Sequence, residues 1–330
     1  LGSLHYQDQE YAKAAKILKK ATVEGAEDTR LAARYMRGIS LLQIEKHAEG
    51  RPLLEAVLGN QKAKQYWPYA AQAMAQSFEK TNQPSLALPM WQQMLMLSTE
   101  PKPKQLAATR AGWLAMQQGD LENAESYFKQ ATGFGIDNQW HTMASSGLFR
   151  LFYEQKRHHE LLALSEKEKG NFLESMKAEV LLAVPTAQYA LAKFDDADKG
   201  FKAFLEAFPE NPAAPLAAFQ RVMARSNTQP DKLLDDTEAF LAKYPSSPYE
   251  ANILYLRAQA LSQADRFAEA ETVWRKLSRL KDVELPRDVI QFELARSLFE
   301  QEKMMEAAEA YISFAELYPQ SESALSARIR

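Results

Sequence analysis

Apolar residues recur along this chain at spacings of three and four, broken by short polar stretches; this is the spacing of amphipathic helices, not the alternation of strands. The clearest unit spans residues 118–131. There a Gly119-Asp120 turn is followed by Ala124, Phe128 and Ala131, four and three apart on one helical face. Twelve residues before Ala124 lies Gly112, which the pattern places on a preceding helix. A small residue on a first helix (helix A), a turn, then small, large and small residues on a second (helix B) predict a helical hairpin.

The same frame can be laid along the whole chain in steps of 36 or 37 residues. The helix A position falls on Gly2, Gly38, Ala75, Gly112, Phe149, Pro185, Arg221, Ala258 and Ala295. Twelve residues later come Ala14, Gly50, Ala87, Ala124, Leu161, Ala197, Leu233, Ala270 and Ala307. Four further on come Leu18, Leu54, Trp91, Phe128, Ser165, Phe201, Thr237, Trp274 and Tyr311. The logic is steric. A residue with little side chain lets the two helices approach where they cross, and a large one fills the gap to the next hairpin; forcing bulk into such a crossing costs about 1–3 kcal/mol.

This pattern resembles the tetratricopeptide repeat family over essentially all of residues 1–330. The likeness is closest in hairpins one to four, eight and nine, and looser in hairpin five (Phe149, Leu161, Ser165) and in hairpins six and seven, where Pro185 and Arg221 stand at a small-residue position. The resemblance implies an all-α fold, a right-handed α-solenoid of about nine hairpins forming one continuous superhelix. Within it, residues 1–135 hold hairpins one to four, 136–212 the divergent hairpins five and six, and 213–330 hairpins seven to nine. A further or capping helix is expected from Ser321 to Arg330. Pro185 is expected to end or kink its helix, since it lacks an N–H and crowds the preceding turn. Leu1-Gly2 falls in the middle of a helix A, so the first hairpin is expected to be truncated and the chain to be an excerpt of a longer array.

In this family the concave wall is lined by helix A side chains six and three residues before, and one, four and five after, the small position. Transferred by the frame, the groove takes Tyr35, Leu42, Tyr69, Gln72, Gln76, Trp113, Met116, Arg150, Tyr153, Tyr189, Arg225, Tyr255, Gln259, Phe292, Arg296 and Phe299. Tyr, Trp and Arg combine contact area with directional polar atoms, as binding hot spots require. The Lys and Asn with which chaperone-binding members clamp a terminal carboxylate are replaced here by Tyr, Gln, Trp and Met.

From residue 200 a second signature appears. Phe208-Pro209, Tyr244-Pro245 and Tyr318-Pro319 each close a helix B on an aromatic before a proline that cannot continue it. This resembles bacterial envelope scaffolds of the β-barrel assembly lipoprotein and Tol–Pal coordinator type, which implies a periplasmic or outer-membrane-associated place; a cytoplasmic location is the alternative.

Composition narrows the classes further. Of 330 residues 46% are hydrophobic and 25% charged, a globular balance. Forty basic against 43 acidic residues give a net charge of −3, without the basic excess of a nucleic-acid binder. There is no cysteine, hence no disulfide and no thiol chemistry. No window reaches the ~18 apolar residues of a membrane helix, so the chain is not expected to span a membrane, although a tether in the full-length protein would fit an envelope role. Among His5, His47, His141, His158 and His159 none makes a helical metal pair; His158 and His159 are adjacent and point about 100° apart. Asp195-Asp196 and Asp235-Asp236 read as solvated helix-start and surface charge. No catalytic, metal-ligating or cofactor-binding residue is expected. The expected function is a non-enzymatic scaffold holding a protein or peptide in the groove. The alternatives are a scaffold of a carbohydrate-handling secretion machine, with polysaccharide in the groove, and a cytoplasmic adaptor.

Overall fold

A computed structural model describes residues 1–280 and 284–329. Among the described residues there are nineteen α-helices and no strand, and the chain divides into two compact units, Leu1–Met176 and Lys177–Arg330. The N-terminal unit holds hairpins one to five: α1 (Gly2–Gln7) and α2 (Tyr11–Ala21), α3 (Glu27–Gln43) and α4 (His47–Leu58), α5 (Trp67–Lys80) and α6 (Pro84–Leu97), α7 (Pro101–Gln117) and α8 (Leu121–Gly133), α9 (Gln139–Glu154) and α10 (His158–Glu168). The C-terminal unit holds hairpins six to nine: α11 (Lys177–Ala190) and α12 (Phe194–Ala207), α13 (Ala214–Thr228) and α14 (Leu233–Lys243), α15 (Glu250–Gln263) and α16 (Phe267–Arg279), α17 (Arg287–Phe299) and α18 (Met304–Leu317). The further helix expected after Ser321 is α19 (Ala324–Ile329); Arg330 lies outside the described residues.

The helix crossings are built as the frame requires. Ala75, Ala258 and Ala295 are fully buried, as are their helix B partners Ala87 and Ala270, and Ala307 nearly so. The ring position carries the largest buried side chains, Trp91, Phe128, Phe201, Trp274 and Tyr311. Glycines mark the closest approaches. A Cβ on Gly112 would lie 2.6 Å from the Phe128 ring, one on Gly38 2.7 Å from Leu54, and one on Gly2 2.6 Å from Leu18. Gly147 on α9 closes on the same Phe128 ring from the next hairpin, where a Cβ would come within 2.3 Å. One phenyl ring therefore fixes the spacing of α7, α8 and α9.

The turn between helices A and B repeats just as regularly. Seven residues past the small position, Gln9, Glu45, Asn82, Gly119, Lys156, Ala192, Asp265 and Glu302 all have φ between 54° and 79°. The next amide then donates back to the helix, for example Lys46 N to Leu41 O at 2.8 Å and Arg157 N to Phe152 O at 2.8 Å. This is the six-to-one bond of a left-handed helix C-cap, which satisfies carbonyls the helix end leaves open. Hairpin seven alone departs from it.

Pro185 does not end its helix: α11 runs through it to Ala190. The ring is accommodated from the other side of the crossing. Gly200 on α12 would, with a Cβ, meet Pro185 Cβ at 2.7 Å, so a glycine on helix B makes room for the bulk on helix A.

Within each unit, polar clamps join successive hairpins at matching positions. Arg51 donates to Gln83 at 3.2 Å, Glu125 accepts from Arg157 at 2.6 and 3.1 Å, and Glu271 accepts from Lys303 at 2.6 Å. In each pair the first residue lies thirteen past the small position and the second eight past the next one. The Arg157 bonds, with Lys129, hold the Glu125 carboxyl at about 2. Burial alone would raise the Glu271 carboxyl, but Lys303, Arg275 and Gln301 together bring it down to about 2.

Two outcomes are expected. Gly147→Ala should lower stability by about 1–3 kcal/mol in urea denaturation, because a ring held between two glycines cannot retreat. Glu125 has a folded pKa below its ordinary 4.5, so the clamp's contribution is complete above about 4.5 and is lost as pH falls towards about 2. Glu125→Gln should accordingly be less stable than wild type at neutral pH. The difference should vanish as pH falls through that window, as read by denaturation midpoints across pH.

Candidate functional site

Successive helices A pack side by side, α3 on α5 and α7 on α9 in the N-terminal unit and α11 on α13 in the C-terminal one. Their side chains line the wall on which the groove positions fall. In the N-terminal unit that wall begins with a row of tyrosines. Tyr35 stacks on Tyr66 (centroids 4.6 Å, 17°) and meets Tyr6 edge-on at 6.3 Å, which in turn meets Tyr11 at 6.2 Å. Burial and the neighbouring Tyr6 push the Tyr35 phenol well above its usual range. Tyr69 beyond it is 57% exposed, Gln76 is exposed and Gln72 half-buried.

Further along, Trp113 is held on three sides. Its ring meets Phe128 edge-on at 5.5 Å, its Nε1 donates to Met143 O at 3.2 Å, and the Arg150 guanidinium lies over its face at 5.9 Å. Trp113 also lines an open cleft of about 410 Å3 with Glu79, Asn82, Pro84, Arg110, Leu114 and Gln117. Glu79 accepts from Trp91 Nε1 at 2.7 Å and pairs with Arg110 across α5 and α7. Met116 is half-buried and Tyr153 remains 37% exposed. Glu79, Arg110 and Gln117 are absent from the predicted set. Glu79 and Gln117 lie four and five past their small residues, within the frame; Arg110 falls outside it and is recognisable only as Glu79's partner.

In the C-terminal unit the same positions turn inward more often. Phe292 packs edge-on against Tyr311 and Phe314 at 5.7 and 5.4 Å, with Phe299 in the same cluster. Tyr255 lies against Trp274 at 5.5 Å, and burial, with Glu293 and Asp288, raises its phenol. Tyr189 meets Phe194 across its own turn at 5.5 Å. Arg225 pairs with Asp236 at 2.7 Å and Arg296 with Glu293 at 3.4 Å, while Gln259 is half-buried. Leu42 is a core residue, 5% exposed. In the N-terminal unit Tyr69, Gln76 and Tyr153 are thus exposed, while Trp113 and Arg150 are half-buried and in contact; in the C-terminal unit Phe292, Tyr255 and Tyr189 serve as packing.

Among the described residues no group of three or more His, Asp or Glu is placed to hold a metal ion, and no helix is long and apolar enough to cross a membrane. His158 and His159 open α10, and His141 pairs with Glu168 at 2.9 Å inside hairpin five.

A helical-hairpin array with a small-residue crossing, a left-handed A–B turn and, in most hairpins, a large side chain four residues past the helix B small position is a tetratricopeptide-type architecture. Residues 290–321, nearly all of α17 and α18, match the tetratricopeptide repeat family model. No curated protein matches the chain. Among solved structures it resembles pilF of Pseudomonas aeruginosa (15% identity, 69% of this chain and 98% of that one, TM-score 0.43). It also resembles a tetratricopeptide repeat protein of Parabacteroides merdae (14%, 79% and 96%, TM-score 0.43) and the C-terminal part of one from Cytophaga hutchinsonii (13%, 99% and 97%, TM-score 0.39).

Proposed function

We propose that this chain is a non-enzymatic scaffold of the bacterial cell envelope that holds a partner protein or an extended peptide along the helix A wall of its N-terminal unit. The observation that carries this reading is the cleft at Trp113. Around it an indole face, an ion pair and amide side chains are presented together on rigid helices. Exposed Tyr69 and Tyr153 extend the contact area to either side. Aromatic and arginine anchors beside polar groups are the composition of binding hot spots. Rigid presentation reduces the ordering cost of association. The aromatic–proline helix ends, at Phe208-Pro209, Tyr244-Pro245 and Tyr318-Pro319, support the envelope part of the reading.

Photo-crosslinking in intact cells tests it directly. A photoreactive residue at position 69 or 153 should capture the same polypeptide, and one at position 129 on the exposed side of α8 should not. Equal capture from all three positions, or none from the first two, would contradict the groove. Fractionation of the same cells should place the protein with the envelope; recovery in the cytosol alone would contradict that assignment.

A further inference from the structure

Hairpin seven, α13 and α14, departs from the other hairpins in two ways. The first is the turn. Thr228 stands where eight other hairpins carry a left-handed residue, and a β-branched side chain is strongly disfavoured there. α13 therefore continues through Thr228, and Gln229, extended before Pro230, leads into a short 3-10 turn. α14 starts at Leu233, twelve residues past the helix A position, where every other helix B starts nine past. The second is volume. Arg221 replaces the small residue and Thr237 the ring. Hairpin five also has a small residue at the ring position, Ser165, but there Phe149 supplies a fully buried ring from helix A. In hairpin seven neither position carries a large apolar side chain.

The guanidinium at 221 turns away to Asp198 on α12, its Nε 2.6 Å from Oδ1, and Arg225 turns to Asp236 on α14 at 2.7 Å. A cleft of about 290 Å3 lies among α12, α13 and α14. That is close to the lower end, about 300 Å3, of small-ligand pockets. Its apolar lining includes Leu205, Ala218, Val222 and Phe240, and Lys202 and Lys243 stand on opposite walls. Four cations line it against Glu206 and Asp236; with Asp198 behind Arg221 the balance is four against three, one positive charge over. Tyr244 also lines the cleft, with its hydroxyl buried out of solvent reach.

We propose that this cleft binds a monocarboxylate carried on a short apolar group. The carboxylate meets the Lys202 and Lys243 ammonium groups, and the apolar part lies on Leu205, Val222 and Phe240. The inference does not rest on the groove reading, since it concerns only the C-terminal unit. Two sources share this chemistry, a free aryl or acyl acid and a glutamate beside an aromatic residue in a peptide.

The test is an amide chemical-shift titration of the full chain with 4-phenylbutyrate, with 4-phenylbutyramide, and with a capped peptide carrying Phe-Glu. Saturable shifts are expected at Ala218, Val222 and Ala239 with a carboxylate probe, and at least about tenfold weaker binding of the amide. Lys202→Gln with Lys243→Gln should weaken binding by a similar factor, and Ala239→Trp, at an exposed position on the rim, should abolish it. Tighter binding of phenylbutyrate assigns the site to a free acid, and tighter binding of the peptide to a protein side chain. No saturable shift with either carboxylate, equal affinity for acid and amide, or undiminished binding by Ala239→Trp would overturn the proposal.

Discussion

The contact on which the structure depends is the crossing of helix A over helix B, where a residue of little volume faces a large side chain sixteen positions on. Gly38 against Leu54 and Gly112 against Phe128 show the tightest form, with no room for a methyl group between them. Packing at interior density leaves few ways to satisfy such a contact. Because each hairpin touches chiefly its neighbours, the crossing is solved again at every step. The variants confirm the rule by how they compensate. Pro185 is matched by Gly200, and Phe149 takes over the ring when Ser165 gives it up.

The crossings were legible in the sequence because they rest on residue volume at fixed spacing, and volume is a property of the residue itself. Other regularities were not. The left-handed turn position is occupied by Gln, Glu, Asn, Gly, Lys, Ala and Asp, of which only Gly and Asn, and to a lesser degree Asp, favour that conformation. The helix A aromatics were legible as a set but not one by one. A tyrosine or phenylalanine three residues before the small position can lie against the turn that leads into the next helix A, as Tyr35 does on Tyr66, or against its own helix B, as Phe292 does on Tyr311 and Phe314. The choice depends on what the neighbouring helix offers, which spacing does not encode. Pro185 does not end its helix for a related reason: a stop inferred from one residue ignores Gly200, the glycine that receives its ring.

Function follows from what the repeating contact leaves free. Where the crossing and the ring are in place, the helix A side chains are rigid and their outward groups, Tyr69, Gln76 and Tyr153 among them, form a surface of fixed geometry. At hairpin seven, charge and apolar surface meet in one cleft among α12, α13 and α14. The same steric rule accounts for the regular crossings and for the compensations at Pro185 and Phe149.

The most direct measurement of the central claim is a double-mutant cycle at Gly38 and Leu54, read by chemical denaturation. Alanine in place of glycine inside a helix is intrinsically favourable by ~1 kcal/mol. With Leu54 present the added methyl has no space, and Gly38→Ala should destabilise the N-terminal unit. In the Leu54→Ala background the space exists, and Gly38→Ala should become neutral or stabilising. A change of the same sign and size in both backgrounds would contradict the account.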